Sequence, residues 1–323
     1  MDFPGGKISF TTKKSFLPGS SEERVRCYRV LDEDGYSEEV ALKMYRGMVT
    51  LQIMDKFFYE AQRQGRLSFY LTSSGEEAIN LASAAALSID DVILAQYREP
   101  GTLLWRGFTL QEFANQCFGN NAGHGKGRQM PIHYGSKNLN FITISSPLTT
   151  QLPQAVGVAY SLKMDKKDSC VVAYLGDGSS SEGDFHAALN FAAVLDAPVV
   201  FICHNNGWAI STPVTDQFRS DGVVVKGQAY GISSIRVDGN DTLAMYDVVR
   251  SAREIAINEQ RPILIEKQVK HAMDEAEKQE KPPLREMFTD VYEDLPSNLT
   301  EQETSLRETI QRHPQDFPKD IPL

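Results

Sequence analysis

The chain reads as an α/β protein: a mostly parallel sheet with helices on both faces, plus an N-terminal arm and a C-terminal helical tail. Three observations carry this reading. Apolar runs at 171–175, 198–203 and 262–266 have the length of strands and are rich in Val, Ile and Leu, as strands covered on both faces are. Segments of helical periodicity lie around and between them. The first run ends in Gly176–Asp177–Gly178 and the second in Asn205–Asn206, with a helix-like stretch between. Such a crossover makes a right-handed parallel unit, which puts Asp177 and Asn206 at the carboxyl ends of adjacent strands.

Taken in order, residues 1–36 read as an extended arm with turn signals at Pro18–Gly19 and Asp34–Gly35. Residues 38–62 carry Val40, Leu42, Met44, Met48, Leu51, Met54, Phe57, Phe58 and Ala61, a broad apolar helical face suited to packing. A helix through 75–87 has Thr72 or a nearby serine as candidate cap, with Glu76 and Glu77 in its first turn. Val92–Ala95 is a short strand that delivers Gln96, Tyr97 and Arg98 to its end. Residues 110–118 are helical. Residues 119–142 form a long loop bearing Gly and His, and loops of this length tend to be functional. Helices at Gln154–Met164 and 242–258 and a strand at 262–266 complete the order. The domains expected are an arm at 1–36, an α/β domain at 37–266 and a helical tail at 267–323.

Composition bounds the function. The 323 residues suffice for one large core with an appendage. A net charge of −10 argues against a nucleic-acid partner. No apolar run reaches membrane-spanning length. The cysteines, Cys27, Cys117, Cys170 and Cys203, show no metal or redox spacing and read as inert thiols of a reducing compartment. The first residues, MDFPGGKISFTTKKSF, lack an arginine-rich amphipathic presequence.

The strand ends carry the chemistry. A carboxylate (Asp177) and a carboxamide (Asn206), beside glycines that admit close backbone approach, suit a Mg²⁺-bound diphosphate. The dinucleotide fingerprint fails, because Gly176, Gly178 and Gly183 are spaced G-x-G-x-x-x-x-G. A phosphoryl-transfer P-loop also fails, because GDGSSSEG holds no lysine. Arg98 at a strand end suits a diphosphate, with a surface pair to Glu99 as the alternative. The string SSPLTTQ reads equally well as a capped helix start. Among the histidines, His133 in MPIHYG is the best functional candidate. His186 is packing or support; His124 and His313 sit in polar contexts without a partner in sequence. His271 lies in a Lys/Glu run typical of a solvated helix face.

The ordered strings SFYLTSSGEEAIN (68–80), AQYREPG (95–101), GKGRQMPIHYGS (125–136), TISSPLTTQLPQAVG (143–157), 176–213 and YGISSIRVDGND (230–241) take the reading further. Together they resemble the alpha subunit of the branched-chain 2-oxo acid dehydrogenase E1 component, nearly without a break over 20–266 and more loosely over 268–320. The resemblance implies the thiamine diphosphate-binding fold. It implies Tyr97, Arg98, Ser146, Gly178, Ser179 and His204 as cofactor-binding residues. Asp177 and Asn206 fall on magnesium side-chain ligands and Trp208 on a backbone-carbonyl ligand. Ser145, Pro147, Thr150 and Gln151 fall on a potassium site. The implied activity is oxidative decarboxylation of branched-chain 2-oxo acids, with acyl transfer to a lipoyl acyltransferase E2 core. The implied assembly is an alpha2beta2 heterotetramer with an E1 beta subunit, in the mitochondrial matrix.

Two departures from the family stand out. The family has an arginine just before the Asn pair, reaching the diphosphate; here it is His204, with shorter reach and fewer donors. A diphosphate beside it favours its protonated form. After PILIE (262–266) the family continues into a tyrosine-arginine segment and a His-Ser-Thr-Ser-Asp-Asp loop. That loop supplies a histidine next to the cofactor and the serine phosphorylated by a dedicated kinase. Here the strand runs directly into Lys267–Gln268–Val269–Lys270–His271, so an internal family segment is missing near 266–270 and the catalytic residue it carries is absent. Loss of the helices that follow is expected to expose apolar surface around the last strand. Two functions follow from the same motifs: an active E1 alpha subunit, or a catalytically impaired isoform that keeps only cofactor- or beta-subunit-binding surfaces.

Overall fold

Seven strands pair in parallel in the computed structural model, which describes residues 10–14, 25–28, 37–268, 283–289 and 296–317. The strands are β1 (Phe10–Thr11), β2 (Cys27–Tyr28), β3 (Val92–Leu94), β4 (Val171–Gly176), β5 (Val199–Asn205), β8 (Ser233–Asp238) and β9 (Ile263–Gln268), in the spatial order β1-β2-β8-β9-β5-β4-β3. A separate antiparallel hairpin, β6 (Trp208–Ala209) and β7 (Thr212–Pro213), follows β5.

The pleat explains the layering. Successive strand residues face opposite sides. Val172, Tyr174, Val200, Ile202, Ile263 and Ile265 join one core, with α1 (Glu38–Arg63), α2 (Glu77–Ala85) and α9 (Thr242–Asn258). Their neighbours Val171, Ala173, Leu175, Val199, Phe201 and Leu264 join a second core, with α5 (Gln151–Met164) and α6 (Gly183–Val194). Both faces of the sheet are therefore covered, as parallel strands require.

Helix α1 fits its periodic sequence. Met44, Leu51, Met54, Phe58 and Ala61 are buried on one face. A second stripe, Leu42, Tyr45, Val49, Ile53 and Phe57, is exposed. Helix α2 begins later than its sequence suggested. Its N-cap is Glu76 and no side chain caps it, so neither Thr72 nor a nearby serine does that work. Ser73 instead satisfies Asp55, donating through its backbone N (2.6 Å) and its hydroxyl (2.7 Å), while Tyr70 OH donates at 2.6 Å. Short α3 (Pro100–Trp105) follows β3. Helix α4 (Leu110–Cys117) opens on a capping box between Thr109 and Glu112. Helix α5 starts at Gln151, three residues before the apolar periodicity begins. Short α7 (Val214–Gln217) and α8 (Val224–Ala229) lead into β8.

Strand β9 is the point of largest correction. It lies between β8 and β5 inside the sheet, and all six of its residues are buried. The expected apolar exposure around it is absent among the described residues, because upstream α8 and α9 and flanking strands supply its cover. Glu266 fastens it. Its carboxylate accepts from Asn205 Nδ2 (2.6 Å), Val223 N (3.0 Å), Val224 N (3.1 Å) and Arg236 Nε (3.1 Å).

The described residues up to Gln268 form one compact unit and those from 283 onward a second. The second holds α10 (Glu286–Thr289) and α11 (Ser297–Arg312), the latter with i,i+4 pairs Glu303–Arg307 and Glu308–Arg312. His271 lies outside the described residues. All four cysteines are buried and free. No described helix is long and apolar enough to cross a membrane.

Candidate active site

The ends of β3, β4 and β5 bring together much of what the sequence singled out. Parallel pairing sets Leu94 beside Ala173 and Gly176 beside His204. Asp177 follows β4, and its N–H donates to the His204 carbonyl at 3.1 Å. The chain then makes a tight helical turn over Gly178–Ser181 before α6. Ser180 Oγ closes this turn onto the Asp177 carbonyl (2.7 Å), and Lys226 Nζ donates to Ser180 O (2.9 Å) and Oγ (2.8 Å). Glycine is required at 178 by space: a Cβ there would lie 2.5 Å from that of Ala209 in the hairpin.

Asp177 is buried, which pushes its carboxyl above the ordinary range despite a hydrogen bond from Gln217 Nε2 (3.2 Å). Asn206 Oδ1 accepts from Trp208 N at 3.1 Å, turning the chain into the hairpin. Three polar atoms in this region, Gln96 Oε1, Arg98 Nε and Gln217 Oε1, are buried without a hydrogen-bond partner among the described residues. Gln96 Nε2 reaches Ser179 Oγ at 3.3 Å.

Arg98 does not make the surface pair with Glu99. Its Nη2 donates to Tyr97 OH at 2.6 Å and its Nη1 lies 3.5 Å from Glu76 Oε1. Glu99 is fully buried and accepts from the Gln96 N–H at 2.6 Å. Burial is the largest influence on it and pushes it up to about 8, so it is largely a neutral acid at pH 7.

Behind the strand ends lies a buried charge cluster. His204 is fully buried; its Nδ1 is 2.6 Å from Glu76 Oε2 and its Nε2 is 3.6 Å from Glu99 Oε1. Burial outweighs the attraction of Glu76 and brings its pKa down to about 4, so the imidazole is neutral. Lys267, also fully buried, has Nζ 3.9 Å from Glu76 Oε1. Burial would raise the Glu76 carboxyl, but the hydrogen bond from His204 and the charges of Lys267 and Arg98 hold it well below the usual range. Glu76, Glu99 and His204 offer ligand atoms within 4.8 Å of one another. Lys267 and Arg98 already supply positive charge to that group, which disfavours a further cation.

A second part of the site lies across the loop at 119–142. His133 Nε2 is 2.6 Å from Ser146 Oγ, and its Nδ1 is 3.0 Å from the Pro131 carbonyl. The carbonyl can only accept, so Nδ1 carries a proton, and in the neutral ring Nε2 accepts from the serine. Both residues line a cavity of about 370 Å³ with Phe69, Tyr97, Leu148 and Ile210. Nearby, Thr150 Oγ1 donates to the Pro147 carbonyl (3.0 Å) and lies 3.3 Å from Ser145 Oγ. Gln151 is buried and donates to the Tyr174 carbonyl (2.9 Å). Thr150 does cap α5 by position, but no side-chain cap bond forms. His124, without a visible partner in sequence, is bound to Glu112 at 2.9 Å; His186 bonds Tyr230 OH at 2.7 Å.

Sequence reasoning missed Glu76, Glu99 and Lys267 as members of one cluster. One signal was available: Lys267 directly follows the apolar run ILIE, so the pleat carries it into the sheet and not into a solvated tail.

The sequence profile described as dehydrogenase E1 component matches residues 45–275. An Arabidopsis thaliana protein, 2-oxoisovalerate dehydrogenase subunit alpha 2, mitochondrial, is 58% identical over 100% of this chain and 83% of its own length. The similarly named proteins of Dictyostelium discoideum and Homo sapiens are 42% and 39% identical, covering 97% and 98% of this chain and 85% and 87% of their own. The Arabidopsis match spans 393 positions against 323 residues here, so at least 70 positions within it have no counterpart in this chain.

Proposed function

We propose a function from one premise: this chain belongs to the dehydrogenase E1 component family. Within that family it is of the 2-oxoisovalerate dehydrogenase alpha type, which implies thiamine diphosphate as cofactor and a beta subunit as partner. We infer further that it is the E1 alpha subunit for oxidative decarboxylation of branched-chain 2-oxo acids and works in the mitochondrial matrix; its relatives' names say mitochondrial. The acyl product would pass to a lipoyl acyltransferase core.

The convergence of the β3, β4 and β5 ends carries the reading. It collects an arginine with an unpartnered Nε, a buried aspartate whose carboxyl burial pushes upward, and a turn into which no Cβ fits. This set suits an anionic diphosphate with a divalent ion. Tyr97, Arg98, Ser146, Gly178 and Ser179 would hold the diphosphate, with His204 set behind them against Glu76. Asp177, Asn206 and the Trp208 carbonyl would hold magnesium. The oxygens of Ser145, Pro147 and Thr150, with Gln151, would hold potassium and so order the loop that carries Ser146. When bound, thiamine diphosphate supplies the electron sink that lets a 2-oxo acid lose CO₂. The protein's part is to fix the diphosphate, keep His133 in one tautomer beside the cavity and exclude water there. The exposed apolar stripe of α1 is the kind of surface a partner subunit covers.

Isothermal titration of the full chain with thiamine diphosphate and Mg²⁺, with and without a beta subunit, tests this. Magnesium-dependent binding that Asp177→Asn abolishes is expected. Binding indifferent to magnesium and to that substitution would sink the assignment.

A further inference from the structure

Residues 204 and 267 are register partners on β5 and β9. Lys267 therefore places an ammonium group on the strand adjacent to His204, facing the same carboxylate, Glu76. The lysine is built into the fold. Its stem fills a slot at Gly239, where a Cβ would fall on the lysine's Cγ and Cε. Its Nζ has no hydrogen-bond partner among the described residues, and Glu76 Oε1 lies 3.9 Å away.

The same Glu76 oxygen faces Arg98 Nη1 at 3.5 Å. Arg98 is thus divided. To engage a diphosphate fully it must leave Glu76, and leaving strands a buried carboxylate. An unpaired buried charge is among the costliest arrangements in a protein. His204 cannot relieve it, since its Nδ1 already serves the other oxygen, Glu76 Oε2. Lys267 is the remaining cation within reach.

We propose that Lys267 is a positioning residue: it takes over as the counter-ion of Glu76 and so releases Arg98 to the cofactor's diphosphate. This rests on the reading of Arg98 as a diphosphate ligand. Lys267 itself need not touch the cofactor. Its ammonium moves by the small distance that turns a 3.9 Å approach into a hydrogen bond, as Arg98 withdraws.

The test is titration of the full chain with inorganic pyrophosphate and Mg²⁺, and separately with thiamine diphosphate and Mg²⁺, in wild type, R98Q, K267M, E76Q and E76Q/K267M. Thermal melting confirms that each is folded. R98Q is expected to bind roughly ten- to hundredfold more weakly, the equivalent of one charge-assisted hydrogen bond. K267M is expected to weaken binding about tenfold, because Arg98 stays with Glu76. E76Q/K267M is expected to recover the affinity of E76Q, because no carboxylate remains to hold the arginine. A purely structural lysine would show no such recovery. Weak binding by R98Q with wild-type binding by K267M overturns this proposal alone, as does failure of E76Q to rescue K267M. Wild-type binding by R98Q overturns the reading of Arg98 itself. Should K267M not fold, E76Q decides: the proposal requires it to bind pyrophosphate at least as tightly as wild type, and weaker binding overturns it.

Discussion

Asp177 shows what a single residue at a strand end contributes. It is buried at the end of β4, and one amide hydrogen bond from Gln217 does not offset its lost hydration. Because its folded pKa is raised, its stabilising contribution is complete below the ordinary carboxylate value near 3.8 and fades as pH rises through the folded value. Once ionised, this buried carboxylate is destabilising, and a divalent ion would relieve it. Asp177→Asn is expected to melt no lower than wild type without magnesium. It is also expected to lose the cofactor-linked gain, which is about 2.7 kcal/mol at a ligand concentration 100 times Kd. Calorimetric melts with and without thiamine diphosphate and Mg²⁺ check both halves, and a lower metal-free melting temperature in the variant counts against the argument. The sequence displayed this residue openly, since a Gly-Asp-Gly after an apolar run can be read locally. It did not display the partners of Arg98. Neighbouring Glu99 offered the obvious pair, but the backbone at the strand end turns Glu99 onto Gln96 N–H, and Glu76 from a distant helix meets the arginine instead.

Single carboxylates tie elements together in two places. Glu266 joins β9 to β5, β8 and the start of α8 through four donors. Glu266→Ala would leave the Arg236 guanidinium and two backbone N–H groups buried without that acceptor. A loss of roughly 3–5 kcal/mol is expected, the cost of breaking a buried ion pair, read as a lower urea midpoint. A midpoint within experimental error of wild type would show that the sheet does not depend on this junction. Asp247 on α9 ties down the N-terminal segment, accepting from Lys14 Nζ (2.7 Å) and Tyr28 OH (3.0 Å). Burial would raise its pKa, but those hydrogen bonds, the charge of Lys14 and a hydrogen bond from Arg250 outweigh burial and hold it below the ordinary value. The sign follows: this contribution is complete above the unfolded carboxylate pKa and is lost as pH falls through the lowered folded one. Asp247→Asn should therefore raise amide exchange in β2 at pH 7 and leave it nearly unchanged once pH has fallen through the lowered folded value, where the wild-type carboxylate protonates too. Equal exchange in both proteins at pH 7 would refute the tether. Elements with a clear period, such as α1 and α9, were legible from sequence nearly to the residue. β1 and β2 were not, because two-residue strands carry no periodicity and exist only through pairing with each other and with β8.

For the whole molecule, the informative quantity is what lies outside the retained fold. The described residues up to Gln268 form a covered parallel sheet, so the expected loss of a family segment after Glu266 does not open the core among them. The sequence suggested otherwise because the cover of this strand was expected from helices that follow it, and strand order, which brings upstream elements over it, cannot be read from strand sequence. At least 70 positions of a close relative nonetheless have no counterpart here. No string resembling the family's phosphorylated His-Ser-Thr-Ser-Asp-Asp loop occurs anywhere in the chain. Incubation of the assembled protein with the family's kinase and labelled ATP is therefore expected to incorporate no label at a matching site. Catalysis should suffer for a different reason. On the proposed reading, diphosphate binding would use the strand ends, whereas turnover would also draw on the loop histidine that the family resemblance implies and on the water exclusion that a closed loop brings. Binding and turnover are thus expected to separate. With a beta subunit and a branched-chain 2-oxo acid, CO₂ release should fall on the order of 100-fold or more below that of a version with the segment restored, since misplacing or removing one group at a reacting centre costs about that much. Thiamine diphosphate affinity should change far less between the two versions. Turnover equal in both would mean that residues already present, His133 first among them, complete the site without the loop.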